Sequence, residues 1–228
     1  MRDERRRSLL ADRPLPRRAL CPGDVVEVRR LPSKRSTWHL ACDADAIAAT
    51  CTAANEQGEN VYVGVNPRPR YGAKGDACIA VARSLFVDLD GAHLGTTDPA
   101  EQIHEAIRRV ADAWLPDPSM LVHSGHGVHA YWLLTEPVTD LDRWALVMDA
   151  LVMTLGSDPS CKNSERIMRV PGLANHKPPK ATARLVHCDP SRRFDVEDLA
   201  GCVMHANLPE PPDVPEVADV EELVRGRE

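Results

Sequence analysis

The segment Ser84-Leu-Phe-Val-Asp-Leu-Asp-Gly91 decides how the rest of the chain is read. An apolar run of strand-favouring residues ends in Asp88 and Asp90, and Gly91 breaks it. Side chains two apart on a strand point to the same face, so the two carboxylates sit side by side, ~7 Å apart along the chain. Two anionic groups at the end of an otherwise apolar strand repel each other unless a cation or cationic ligand holds them. The pair therefore reads as a platform for divalent metal. The competing reading is a plain turn, because Asp and Gly both suit positions where a chain reverses.

Upstream of this strand, taken as Cys78–Asp88, Val61–Val65 alternates as another strand and runs into Asn66-Pro-Arg-Pro-Arg70, which proline keeps extended. With Tyr71 beside them, Asn66, Arg68 and Arg70 either meet nucleic-acid phosphate and base or form a plain polar loop. Leu40–Glu56 has the Ala-rich composition and the spacing of a helix, stopped by Gly58. Before it, residues 1–37 are rich in Arg and Pro, with a short strand at Val25–Val28, and are expected to form a basic, partly ordered lead-in.

Downstream, Asp98, Pro99 and Glu101 supply the cap, first-turn proline and capping box of a helix whose apolar face is Ile103, Ala106, Ile107 and Val110. Met120–Leu134 reads as two strands about a turn at Ser124–Gly127, with His129 on the opposite face from Val128 and Trp132. Asp140 caps a strongly apolar-striped helix through Leu155, ended by Gly156. A long polar connector then carries Asp158, Arg166, Arg169 and Lys177. Connectors of that length in compact domains are usually functional. Arg184–Cys188 reads as a strand and Val196–Leu199 as a helical turn. The Pro/Glu/Asp-rich end, residues 206–228, is expected to be a disordered acidic tail. Residues 38–205 are left as one catalytic-sized α/β domain.

Composition bounds the function. With 228 residues, 43% apolar and 27% charged, the chain is of ordinary globular type. Its longest apolar stretch, around Trp144–Leu155, is interrupted by Asp149 and too short for a bilayer, and the N-terminus lacks a secretory signal's apolar core. Seven cysteines without a Cys-x-x-Cys pair fit a reducing, cytoplasmic setting. The net charge of −6 hides an asymmetry: residues 1–35 carry eleven Arg/Lys against five Asp/Glu, whereas residues 195–228 carry two against ten. An acidic protein can thus still offer a basic arm to an anionic polymer.

Three features stand in order: Asp88-x-Asp90, then Ser124-Gly-x-Gly-x-His129, then Asp158 followed by Arg166-x-x-Arg169-Val-Pro-Gly-x-x-Asn-x-Lys177. This order resembles the archaeo-eukaryotic primase superfamily, in particular the primase-polymerase domains of plasmid and phage replication proteins. The likeness covers roughly Val61 to Lys177. It implies an RNA-recognition-like core with a mainly antiparallel sheet flanked by helices. Its activity would be DNA-templated nucleotidyl transfer, making or extending primers on single-stranded DNA from nucleoside triphosphates. Asp88, Asp90 and Asp158 are then the catalytic acids and the ligands of two magnesium or manganese ions. Ser124, Gly125, Gly127, His129, Arg169 and Lys177 would bind the nucleotide. A separate helicase or replication initiator is the implied partner, since no Walker-type loop is present.

Other readings compete. His123, His126 and His129 suggest a zinc cluster, but a spacing of three sends successive strand residues to opposite faces, so no zinc is expected. Cys161 beside His176 suggests a nucleophile, without any oxyanion feature to support it. Arg166 either pairs with Glu165 or Asp158 as scaffold or meets nucleotide. The alternative function is a non-catalytic nucleic-acid-binding replication module of the same fold, for which three converging carboxylates that repel phosphate are no use.

Overall fold

In chain order the elements are β1 (Val25–Leu31), β2 (Ser36–Leu40), α1 (Ala44–Glu56), β3 (Asn60–Gly64), β4 (Ala82–Asp90), a short α2 (Gly91–Leu94), α3 (Pro99–Asp112), β5 (Met120–His123), β6 (Gly127–Val138), α4 (Leu141–Leu155), β7 (Ile167–Arg169), β8 (Ala174–Asn175), β9 (Ala181–Thr182), β10 (Arg184–Cys188), β11 (Arg193–Phe194) and α5 (Val196–Ala206). They come from a computed structural model that describes residues 23–206. The start of the basic lead-in and the acidic tail beyond 206 lie outside the described residues.

Two antiparallel sheets form the frame. The first has the order β2-β1-β3-β7. The second runs β10-β5-β6, with β4 on the other side of β6 and β11 adding a short parallel pair at Leu133–Leu134. The small β8–β9 hairpin stands apart from both. The expectation of a mainly antiparallel α/β domain flanked by helices holds, and three boundaries move. β1 is a full inner strand, not a fragment of a lead-in. Leu40 belongs to β2, so α1 begins only at Ala44. The acid strand starts at Ala82, after a short 3-10 turn at Asp76–Cys78.

Each sheet has its own core. Val26, Val28 and Val61 of the first pack under Ile47, Cys51 and Ala54 of α1. Most of the apolar mass lies around the second sheet, where alternation along β4 sends Leu85, Val87 and Leu89 one way and Phe86 and Asp88 the other. α3 covers the first of these faces. Its buried Gln102 accepts through Oε1 from His123 Nε2 at 2.9 Å, and Trp132 Nε1 donates to the Pro116 carbonyl just beyond it. α4 covers part of the second face, with Trp144 tilted against Phe86 and donating to the Ser84 carbonyl. Helix cover therefore ends where the acids begin.

The capping signals act as read. Asp98 accepts from the backbone N–H groups of Ala100 and Glu101, and Asp140 from that of Arg143. Glu101 closes its box indirectly: it accepts from the Thr96 hydroxyl, which in turn accepts from the Asp98 N–H. Among the described residues, no helix is long and apolar enough to cross a membrane.

Candidate active site

β4 and β6 pair in a register that sets Asp88 opposite His129 and Asp90 opposite Gly127. The imidazole Nε2 of His129 lies 3.7 Å from the Asp88 carboxylate. Gly127 is needed for this closeness: a Cβ there would fall 2.4 Å from the Leu89 carbonyl oxygen and 2.9 Å from the Asp90 Cα. Asp90 also caps α2, accepting from the Ala92 N–H at 3.2 Å.

The connector after α4 is tied to this strand by its backbone, the Asp158 N–H donating to the Asp88 carbonyl at 3.1 Å. The Asp158 carboxylate is folded onto Ser160, accepting from its N–H and its hydroxyl, each at 2.8 Å. Burial pushes the Asp158 carboxyl up, but the Ser160 bonds, with Arg166 and His93 nearby, hold it below the ordinary value. Among the described residues no three His, Cys, Asp or Glu side chains converge closely enough to hold an ion. The backbone brings Asp158 beside Asp88, with the Asp158 side chain turned onto its own loop.

His129 is almost wholly buried, and burial lowers its pKa against the opposing pull of Asp88, so the imidazole is neutral at neutral pH. Tyr131 Oη lies 3.3 Å from Nδ1. Burial first, then the nearby Asp88 and Cys161, raises the Tyr131 pKa well above the usual value, so the phenol keeps its proton. Donating that proton to Nδ1 satisfies the buried hydroxyl and leaves the ring hydrogen on Nε2, on the side of Asp88.

Arg169 of β7 stands opposite Tyr62 of β3 and stacks on it at 4.7 Å, donating to the Tyr62 hydroxyl and to Asn60 Oδ1, each at 2.7 Å. Burial lowers the Arg169 pKa, with Tyr62 and Asp88 opposing, so this guanidinium acts electrostatically on Asp88. The Ser124–Gly127 turn is closed by bonds from Ser124 N–H and Oγ to the Gly127 carbonyl. Gly125 adopts φ +102°, and the turn is clamped by Asn175, whose amide donates to the Ser124 carbonyl at 3.0 Å. The same Asn175 accepts from the Lys177 N–H, while the Lys177 side chain is exposed.

Two expected nucleic-acid contacts are corrected. Asn66 is fully buried, its amide donating to the Ser164 carbonyl and its oxygen accepting from the Arg83 N–H. Arg68 is buried too: its guanidinium donates twice to Glu27 and once each to the Asn66 and Glu165 carbonyls. A Pro-x-Pro segment looks exposed by composition, but its partner Glu27 is 41 residues away in sequence, where no local pattern registers it. Arg70 remains on the surface.

Arg166 pairs with neither Glu165 nor Asp158. Glu165 is held by Arg29 at 2.7 Å, and the Arg166 Nε is buried without a partner. Tyr131 and Tyr62 were legible only through strand parity, and the His93 position beside Asp158 through nothing in the sequence. Burial raises the Cys161 thiol to about 12, and its Sγ contacts Met168 Sδ, which marks it as a structural thiol.

Two antiparallel sheets with an acid pair and a histidine on facing strands at the uncovered end of one of them match the core expected of an archaeo-eukaryotic primase-type domain. The comparisons narrow the class. The chain belongs to the RepB DNA-primase N-terminal domain family, whose model matches residues 25–208. A replication protein of Clostridium perfringens is 28% identical over 123 residues, covering 52% of this chain and 30% of that protein's length. Among solved structures, the primase-polymerase AEP domain of cyanophage S-2L superimposes with a TM-score of 0.62 at 20% identity, covering 82% of this chain and 92% of that one. The catalytic domain of primase RepB′ in complex with initiator DNA gives 0.60 at 13% identity, covering 98% and 100%. A longer RepB′ primase structure gives 0.58 at 14% identity, covering 83% of this chain and 59% of that one. At these identities the structural likeness concerns the fold.

Proposed function

We propose that this replication domain is a DNA-templated nucleotidyltransferase that makes or extends primers from nucleoside triphosphates on single-stranded DNA. The observation that carries the reading is the direct pairing of Asp88 with His129 across β4 and β6, with Asp158 tied to the Asp88 backbone. The donors fit magnesium or manganese in kind, being carboxylate oxygens, and Asp88 makes no side-chain contact apart from His129 among the described residues. Two such ions, held by Asp88, Asp90 and Asp158, would activate the primer 3′ hydroxyl and neutralise the leaving pyrophosphate.

The residues of the chain do the rest. His129 donates its Nε2 hydrogen to a phosphate oxygen as a neutral imidazole. Arg169, locked by Tyr62 and Asn60, and Arg166, whose Nε lacks a partner, supply positive charge to the triphosphate. Ser124, Gly125 and Gly127 form a tight turn beside His129, and Lys177 extends from the segment that clamps it. Binding asks Asp158 to leave Ser160. A replicative helicase or initiator is the proposed partner for exposing template.

The experiment is a primer-synthesis assay on single-stranded DNA, with ribo- and deoxynucleotides in turn and with Mg²⁺ or Mn²⁺. Wild-type chain should synthesise and Asp88→Ala should not. Undiminished synthesis by that variant would remove the acid pair from the mechanism. The rival, a binding module of the same fold, is favoured by the way Asp158 is turned onto Ser160. It predicts DNA binding without synthesis under every nucleotide and metal condition.

A further inference from the structure

We propose that the groove beside the β1–β2 hairpin holds single-stranded DNA, with Lys34 and Lys74 on its phosphates and the Trp38 indole under one of its bases. Arg29, Lys34, Lys74, Gly75, Glu165 and Ile167 line this groove. Nothing in the acid cleft itself accounts for it.

Many surface cations are paired, although Arg35, Arg70, Lys177, Lys180 and Arg184 also stand exposed without an ion pair among the described residues. Arg108 and Arg109 are held by Glu105, Arg143 by Glu197, Lys162 by Asp149 and Arg192 by Asp117. In the groove Arg29 is spoken for by Glu27 and Glu165. Lys34 and Lys74 are exposed and make no ion pair among the described residues. Lys34 is also held in a left-handed conformation at φ +60°, in the turn closed by the Arg30 N–H on the Arg35 carbonyl. Two unpaired ammonium groups across a groove suit phosphates, which lysine meets as a point charge.

The second observation is aromatic. Lys74 Nζ lies 5.6 Å from the Trp38 ring centroid, over the face of a partly exposed indole whose Nε1–H has no acceptor. An aromatic face of this kind is a platform on which unpaired bases stack once the lysine is drawn off it to phosphate, with affinity that is tolerant of sequence. Base pairs of a duplex offer no such free face, so the occupant is single-stranded.

The groove also leads to the right place. Ser36, Arg29, Tyr62 and Arg169 stand in one register across β2, β1, β3 and β7. Glu165 and Ile167 on the groove wall flank Arg166, which acts electrostatically on Asp158. A strand lying in the groove is therefore directed into the cleft, and calling it the template rests on the polymerase reading above.

The test uses the full chain and a fluorescein-labelled oligothymidylate, with affinity read by anisotropy across a salt series. Lys34→Ala with Lys74→Ala should weaken binding roughly tenfold at low salt and flatten the log–log salt slope by about 1.4, since each phosphate contact on a single strand contributes ~0.7. Trp38→Ala should weaken binding roughly tenfold and Trp38→Phe much less. Unchanged affinity and slope in the double lysine variant would overturn the proposal, as would an equal loss in Arg192→Ala beside the edge strand β10. If the chain makes no primer yet binding depends on the two lysines, the polymerase reading falls and this one stands. If primers are made and the lysine variants bind as wild type, the reverse holds.

Discussion

A neutral histidine with its tautomer fixed by a neighbouring phenol is a different tool from a charged one. His129→Ala should raise the nucleotide requirement roughly ten- to a hundredfold, the worth of one hydrogen bond to a charged group, while affinity for oligothymidylate stays level. Tyr131→Phe removes only the hold on Nδ1, so it should raise the nucleotide KM by a smaller factor, and steady-state kinetics on both variants would rank them. The two acids should differ in stability. Asp88→Ala relieves a like-charge neighbour and should leave thermal stability unchanged or higher, whereas Asp90→Ala also loses the α2 cap and should cost about 0.5–2 kcal/mol. Equal unfolding curves for the two variants would contradict the capping role. The Asp88/Asp90 pair was legible through strand parity, and His129 through its place in the motif order that resembles the primase superfamily, since parity does not fix the register between β4 and β6. Arg68 was misread because burial by a distant carboxylate leaves no local trace.

The strand pair β4–β6 is the element on which the site depends, and its tightest point is Gly127. Gly127→Ala must move either the Leu89 carbonyl or the Asp90 backbone. It should cost about 1–3 kcal/mol in chemical denaturation, as overpacked positions do, and should lower synthesis as well. A variant as stable and active as wild type would show that the register tolerates a Cβ. Strongly periodic elements were read correctly from sequence: α3 and α4 with their caps, and the turn between β5 and β6. β2 was not, because Ser36–Leu40 is partly buried at every position and shows no alternation. α5 was shortened to one turn because its apolar positions are interrupted by Gly201, although the helix runs on to Ala206. The short β7 pairs with the distant β3, β8 forms a two-residue hairpin with β9, and neither has a periodicity to read.

At the scale of the molecule, the first sheet is held to the connector by one buried ionic network. Glu27 is fully buried and accepts from Arg29, Arg68 and Ser36, while Arg29 reaches on to Glu165. Burial pushes the Glu27 carboxyl up, but the bonds from Arg29, Ser36 and Arg68 outweigh it, so its pKa is depressed. A depressed folded-state pKa means that the stability is present above the ordinary carboxylate range and is lost as pH falls through the folded value. Glu27→Gln should therefore cost roughly 3–5 kcal/mol at neutral pH and flatten the acid limb of the stability curve. Denaturation followed across pH would show both effects. The two separate cores of buried residues have a further consequence, for the time course of opening. The core under α1 is the smaller, so the sheet of β1 and β3 should open as a unit before the sheet of β4 and β6 does. In deuterated buffer the backbone amides of Val26 and Val28 should exchange ahead of those of Val87 and Ala130. DNA held against the first sheet should slow the earlier set, so the label would report occupancy of one lobe without any chemistry taking place.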